Sequence, residues 1–131
     1  MSEIRATTIS DLVGTGPVNL TGQSAAKAWS NLNGSGTIAE NDSFNIASYT
    51  DNGTGDFTHS FSNAMSAATY QCSGMTGEDP NLIGSNITVA LHAKAIAAGS
   101  LRTLSRAAQT TSNTFDHDDT AVMPSIHGDL A

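Results

Sequence analysis

At 131 residues the chain is long enough for one domain with a modest core, and both aromatic (5%) and charged (13%) residues are scarce. Twelve acidic against five basic residues leave a net charge of −7. That balance argues against nucleic-acid binding and against an anionic membrane surface, because both need clustered Lys and Arg. Gly, Ser, Thr, Asn and Ala make up most of the rest, a composition poor for an enzyme core and usual for β-rich structural proteins.

Residues 1–24 form the first unit. Ser2–Ile9 reads as a short strand, and Ile4, Ile9, Leu12 and Val13 are its main apolar side chains before the breaker cluster Gly14-Thr15-Gly16-Pro17. So little apolar area cannot offset the entropy of ordering. The expectation is an extended N-terminal arm, docked on its own domain or laid across a neighbouring subunit through Ile4, Ile9, Leu12 and Val13.

Ala25–Asn33 predicts a strand with Ala28, Ser30 and Leu32 on one side and Lys27, Trp29 and Asn31 on the other. Trp29, the only Trp, is expected to anchor a core or an interface. Asn33-Gly34-Ser35-Gly36 turns, Thr37–Ala39 is briefly extended, and Glu40-Asn41-Asp42 turns again.

The clearest signal follows. Ser43–Thr50 alternates with Phe44 and Ile46 on one face, and Asp56–Phe61 with Phe57, His59 and Phe61 on one face. Between them lies Asp51-Asn52-Gly53-Thr54-Gly55. Asn52-Gly53 suits the positive φ of a tight turn, and Gly55 offers a second such site. The prediction is a β-hairpin with Phe44, Ile46, Phe57 and Phe61 in the core. Asp51, Asn52 and Asp56 could offer oxygens to Ca²⁺, but turn chemistry alone accounts for them.

Ser62–Ala68 reads as a helical turn or a loop. Thr69–Gly74 reads as a strand with Tyr70 and Cys72 on one face. Cys72, the only cysteine, excludes an intrachain disulfide and suits a buried strand position. Met75–Ser85 reads as a loop. In Asn86–Ala95, Ile87, Val89 and Leu91 alternate with Thr88, Ala90 and His92, which favours a strand. The Ala-rich run Val89–Ala98 also suits a helix. Ser100–Ser105 reads as a final strand. From residue 107 on, four Asp and thinly spread apolar residues predict an acidic C-terminal tail. Asp116-His117-Asp118-Asp119 and His127 are possible transition-metal ligands, although a solvated tail explains them more simply.

There is no nucleophile elbow, phosphate loop, Cys/His metal spacing or pair of carboxylates that stands out. No enzymatic activity, cofactor or metal is expected. No apolar run is long enough to cross a bilayer and no signal-like segment follows Met1, so no membrane insertion is expected. Short strands between Gly- and Asn-rich turns point to an all-β domain, a small antiparallel sandwich or barrel over 25–106, with arms at 1–24 and 107–131.

The hairpin region resembles a family of small bacteriophage virion proteins, common in marine and cyanobacterial phages and met in tail-fibre or appendage contexts. The resemblance covers about residues 1–75. It is carried by Ala26-Lys27-Ala28-Trp29, Asn31, Gly34-Ser35-Gly36-Thr37-Ile38, Asp42-Ser43-Phe44-Asn45-Ile46, and Asp51-Asn52-Gly53-Thr54-Gly55-Asp56-Phe57-Thr58 with Phe61. The chain departs from it at Ser30 and His59, where relatives carry bulkier apolar residues. The resemblance implies a virion structural protein assembled in the host cytoplasm: an oligomeric short fibre or knob, a homotrimer, joined to other virion proteins by its arms. A capsid decoration protein is the alternative in the same class. A host-glycan-binding module is the alternative in another, with Trp29, Tyr49 and Tyr70 as its candidate aromatics.

Overall fold

The computed structural model describes residues 25–77, 87–109 and 114–131. The N-terminal arm, with Ile4, Ile9, Leu12 and Val13, lies outside the described residues.

Alternation of small polar and apolar residues sets the architecture. Nine strands form: β1 (Ala28–Asn33), β2 (Ala39–Phe44), β3 (Ile46–Asp51), β4 (Asp56–Phe61), β5 (Gln71–Gly77), β6 (Ile87–Ala97), β7 (Ser100–Gln109), β8 (Thr114–Asp116) and β9 (Ala121–His127). One sheet has the order β2-β1-β9-β5; the other has β3-β4-β7-β6, with β8 added to β7. All pairings are antiparallel. The two sheets pack face to face as a β-sandwich, which selects the sandwich over the barrel. Two apolar clusters fill it. Ala28, Phe61, Met65, Tyr70, Leu101 and Ile126 form one, and Leu32, Phe57 and Val122 form the other.

The predicted hairpin is present as β3–β4, with Phe57 and Phe61 buried and Ile46 half-buried against the core. Its first strand is nevertheless broken. Asn45 takes φ 60°, the only positive φ of a non-glycine among the described residues. Its side-chain amide donates to the carbonyls of Lys27 and Asn63, both at 3.0 Å, and its Oδ1 accepts the Asn63 amide at 2.7 Å. The chain therefore leaves one sheet at Phe44 and enters the other at Ile46. This corner breaks the alternation, so Phe44 faces outward and is 51% exposed rather than part of the core. At the β3–β4 turn, Gly53 (φ 122°) and Gly55 (φ 69°) carry the positive angles; Asn52 does not.

Three further expectations change, and the strand reading of the Ala-rich run holds. Glu40-Asn41-Asp42 lies within β2 instead of turning, and β5 runs on through Met75 to Gly77. The Ala-rich run is strand β6, paired along its length with β7, so the helical alternative does not form. Residues 107–109 and 114–131, expected as part of a tail, are built into the sheets. β7 continues to Gln109, and β9 is an inner strand between β1 and β5. A sandwich strand buries only one face, so Val122, Pro124 and Ile126 suffice at alternate positions. Pro124 has no N–H to donate, and it coincides with a gap in the β1–β9 ladder between Trp29↔Ser125 and Leu32↔Val122.

Candidate assembly surface

The inner positions of β1 are Ala28, Ser30 and Leu32, all buried, so Trp29 and Asn31 stand on the outer face of the β2-β1-β9-β5 sheet. Register builds that face into rows. Phe44 lies beside Trp29, Trp29 beside Ser125, and Ser125 beside Ser73. Met123 lies beside Met75, which is 65% exposed. Two residues along β1 from Trp29, at the level of the Met123–Met75 pair, Asn31 pairs with Asp42 and accepts a hydrogen bond from the Asn41 side chain at 3.2 Å. Exposed apolar side chains rimmed by amides and a carboxylate are the usual make-up of an interaction surface.

The interior spends its polar groups on holding the sandwich together. His59 is fully buried; its Nδ1 lies 3.1 Å from Ser30 Oγ on the opposite sheet and its Nε2 lies 3.0 Å from Thr103 Oγ1. A neutral imidazole has one donor and one acceptor, which two hydroxyls can satisfy. Burial pushes this imidazole down to about 4, with no carboxylate bonded to it. Ser30 and His59, on opposite sheets, thus meet in the interior. Tyr49 packs its ring edge-on to His59 with centroids 5.4 Å apart, and burial pushes its phenol up to about 12. Tyr70 donates to the Ser100 carbonyl at 2.8 Å. Neither Tyr joins Trp29 on the outer face.

Asp116-His117-Asp118-Asp119 is a clamp: His117 and Asp119 meet, while Asp116 and Asp118 turn to separate partners. Asp116 pairs with Arg106 at 2.9 Å. Asp118 accepts the Gly55 amide at 2.6 Å. The fully buried Asp119 accepts from Ser105, and His117 Nδ1 lies 3.1 Å from its other oxygen. Among the described residues, no group of three or more His, Cys, Asp or Glu converges as a metal site would require. Ser105 is buried and bonded to a carboxylate rather than to an imidazole, so this Ser/Asp/His trio lacks the nucleophile–base contact. Asp56, the third residue of the calcium reading, is held by Arg102 at 2.7 and 2.8 Å and by Lys94. The Arg102 hydrogen bond, above all, holds its carboxyl below the usual range.

A cavity of about 90 Å³ lies between the sheets at the β5–β6 side, against Cys72, Gly74, Leu91 and Thr103. Of the predicted assembly contacts, Trp29 is on the outer face. Phe44 and Met75 were missed as surface residues. The signal for Phe44 was Asn45, a residue type that tolerates positive φ. No protein-family model matches the chain, and no curated protein or solved structure matches it significantly.

Proposed function

We propose that the protein is a structural protein of a bacteriophage virion, a β-sandwich module of a short fibre or knob that assembles with copies of itself and with other virion proteins. The observation that carries this reading is the outer face of Trp29, Phe44, Met75 and Met123, set on a sandwich whose buried His59, Ser30, Thr103, Ser105 and Asp119 bond to one another across the interior. The phage-protein resemblance over residues 1–75 supplies the setting. Phe44 is half exposed, so Phe44→Ser leaves the core intact. Paired with Trp29→Ala, it is expected to keep the melting temperature near that of the parent and to lower incorporation into particles. Unchanged incorporation of the folded double variant overturns the assembly role. Micrographs of particles carrying a labelled chain distinguish a tail appendage from a capsid decoration.

One observation favours a second reading. Trp29 and Phe44 stand beside Asn31, Asn41 and Asp42, an aromatic platform with amide and carboxylate partners suited to a host glycan. Binding to a glycan array that is lost on Trp29→Ala, with particle incorporation unchanged, would favour it.

A further inference from the structure

Each sheet of an open sandwich ends in edge strands whose outward backbone groups can accept another strand, and folded proteins blunt such edges with charge, proline, bulges or short length. The edges here differ. β2 carries Glu40 and Asp42, and its pairing with β1 shifts between Asn31 and Leu32. β3 is bulged between Ile46 and Ser48 and ends in Asp51. β6 is bulged between Ala93 and Ala95, with Lys94 at the bulge. β8 has only 3 residues. β5 has none of these devices: Gln71-Cys72-Ser73-Gly74-Met75-Thr76-Gly77 contains no charge and no proline, and its seven pairs with β9 run without a shift. Among the described residues, no strand lies along its outer side.

We propose that β5 is the edge through which two copies of this chain join, pairing antiparallel with β5 of the second copy about a two-fold axis. Two four-stranded sheets then become one continuous sheet. Two arguments select a second copy as the occupant. In a chain of net charge −7, self-association brings like charges together unless the contact is uncharged, and β5 is the long edge that satisfies this. The strand is also self-complementary in size. Full overlap sets Gly74 against Gly74, the longer Met75 and Gln71 against the smaller Ser73 and Gly77, and Cys72 against Thr76. The inference does not rest on the virion reading, and it replaces the three-fold association that the resemblance implies.

The test is the mass of the full chain in solution across the micromolar range, by sedimentation or light scattering. The expected result is a concentration-dependent monomer–dimer equilibrium. Met75→Lys, at a 65% exposed position, should weaken the dimer by roughly tenfold or more without lowering the melting temperature, because it sets new charge along the paired edge. Ser73→Cys with Met75→Cys, in a Cys72→Ser background, should give a disulfide-linked dimer on mild oxidation, because the register sets these positions opposite one another. A monomer at every concentration overturns the proposal, as does a trimer. So does a dimer that survives Met75→Lys and yields no cross-link, or one lost instead on Trp29→Ala. A Met75→Lys variant that melts earlier at unchanged mass also overturns it, since the edge is then covered by the chain's own residues. Each of these outcomes is read in solution and is independent of incorporation into particles.

Discussion

His59 sits between the sheets with hydroxyl partners only, and this fixes how the protein answers to acid. Its imidazole ordinarily titrates at 6.5, and burial lowers this to about 4 in the folded chain. Below pH 6.5 the unfolded chain binds a proton that the native chain refuses, so stability falls as pH falls, until the native ring is also protonated near pH 4. Over that window the loss is about 3 kcal/mol. Asp56, held low by Arg102, gives up its contribution only as pH falls below its ordinary 3.8. Denaturant midpoints measured at pH 7, 5.5 and 4.5 should therefore drop steadily, and Ser30→Val with His59→Leu should flatten the profile. The two turn glycines give a second residue-level test. A Cβ at Gly55 would lie 2.7 Å from the carbonyls of His117 and Ser105, whereas one at Gly53 would meet open space. Both have positive φ, so each alanine is strained, but Gly55→Ala should lower the melting temperature clearly more than Gly53→Ala.

At the scale of elements, the corner at Asn45 and the placement of β9 decide the fold. Asn45→Gly keeps the positive φ and loses four side-chain hydrogen bonds, whereas Asn45→Val also adds backbone strain that a β-branched residue resists. The expected order of stability is parent, then glycine, then valine, the last lower than parent by about 3 kcal/mol or more in denaturant unfolding. Ile126→Ala, in a position expected to be tail, should cost about 2–5 kcal/mol. The sequence made the β3–β4 hairpin, β1 with its two faces, and the beginnings of β5, β6 and β7 legible, because period-two alternation there is strong. It hid β9 because Ala121–His127 holds only Val122, Met123 and Ile126 as large apolar residues, and acidic neighbours masked them. Those acids look solvated in a linear reading, yet Asp118 and Asp119 bond to Gly55 and Ser105, far apart in the chain. Phe44 was misassigned because alternation was carried through Asn45. Trp29 was the part of the candidate surface that could be read directly; Met75 required knowing that β5 passes the glycine at 74 without stopping.

For the whole molecule, the division of labour between faces matters more than any one side chain. The outer side of the β3-β4-β7-β6 sheet carries Lys94 and Arg102, both bonded to Asp56, and Arg106 bonded to Asp116. Asp56 is buried beneath its two cations, whereas the exposed Arg106–Asp116 pair adds little stability and is screened by salt. The opposite sheet presents Phe44 beside Trp29 and Met75 beside Met123 instead. Raising ionic strength should therefore leave association through the uncharged β5 edge intact or strengthen it, which concentration-dependent sedimentation in low and high salt can check. The order of strands in the first sheet has a consequence for biosynthesis. Among the described residues β1 and β5 reach one another only through β9, so Trp29 and Met75 cannot share one surface until residues 121–127 have been made. A chain that stops before β9 lacks the strand that joins the two halves of that platform.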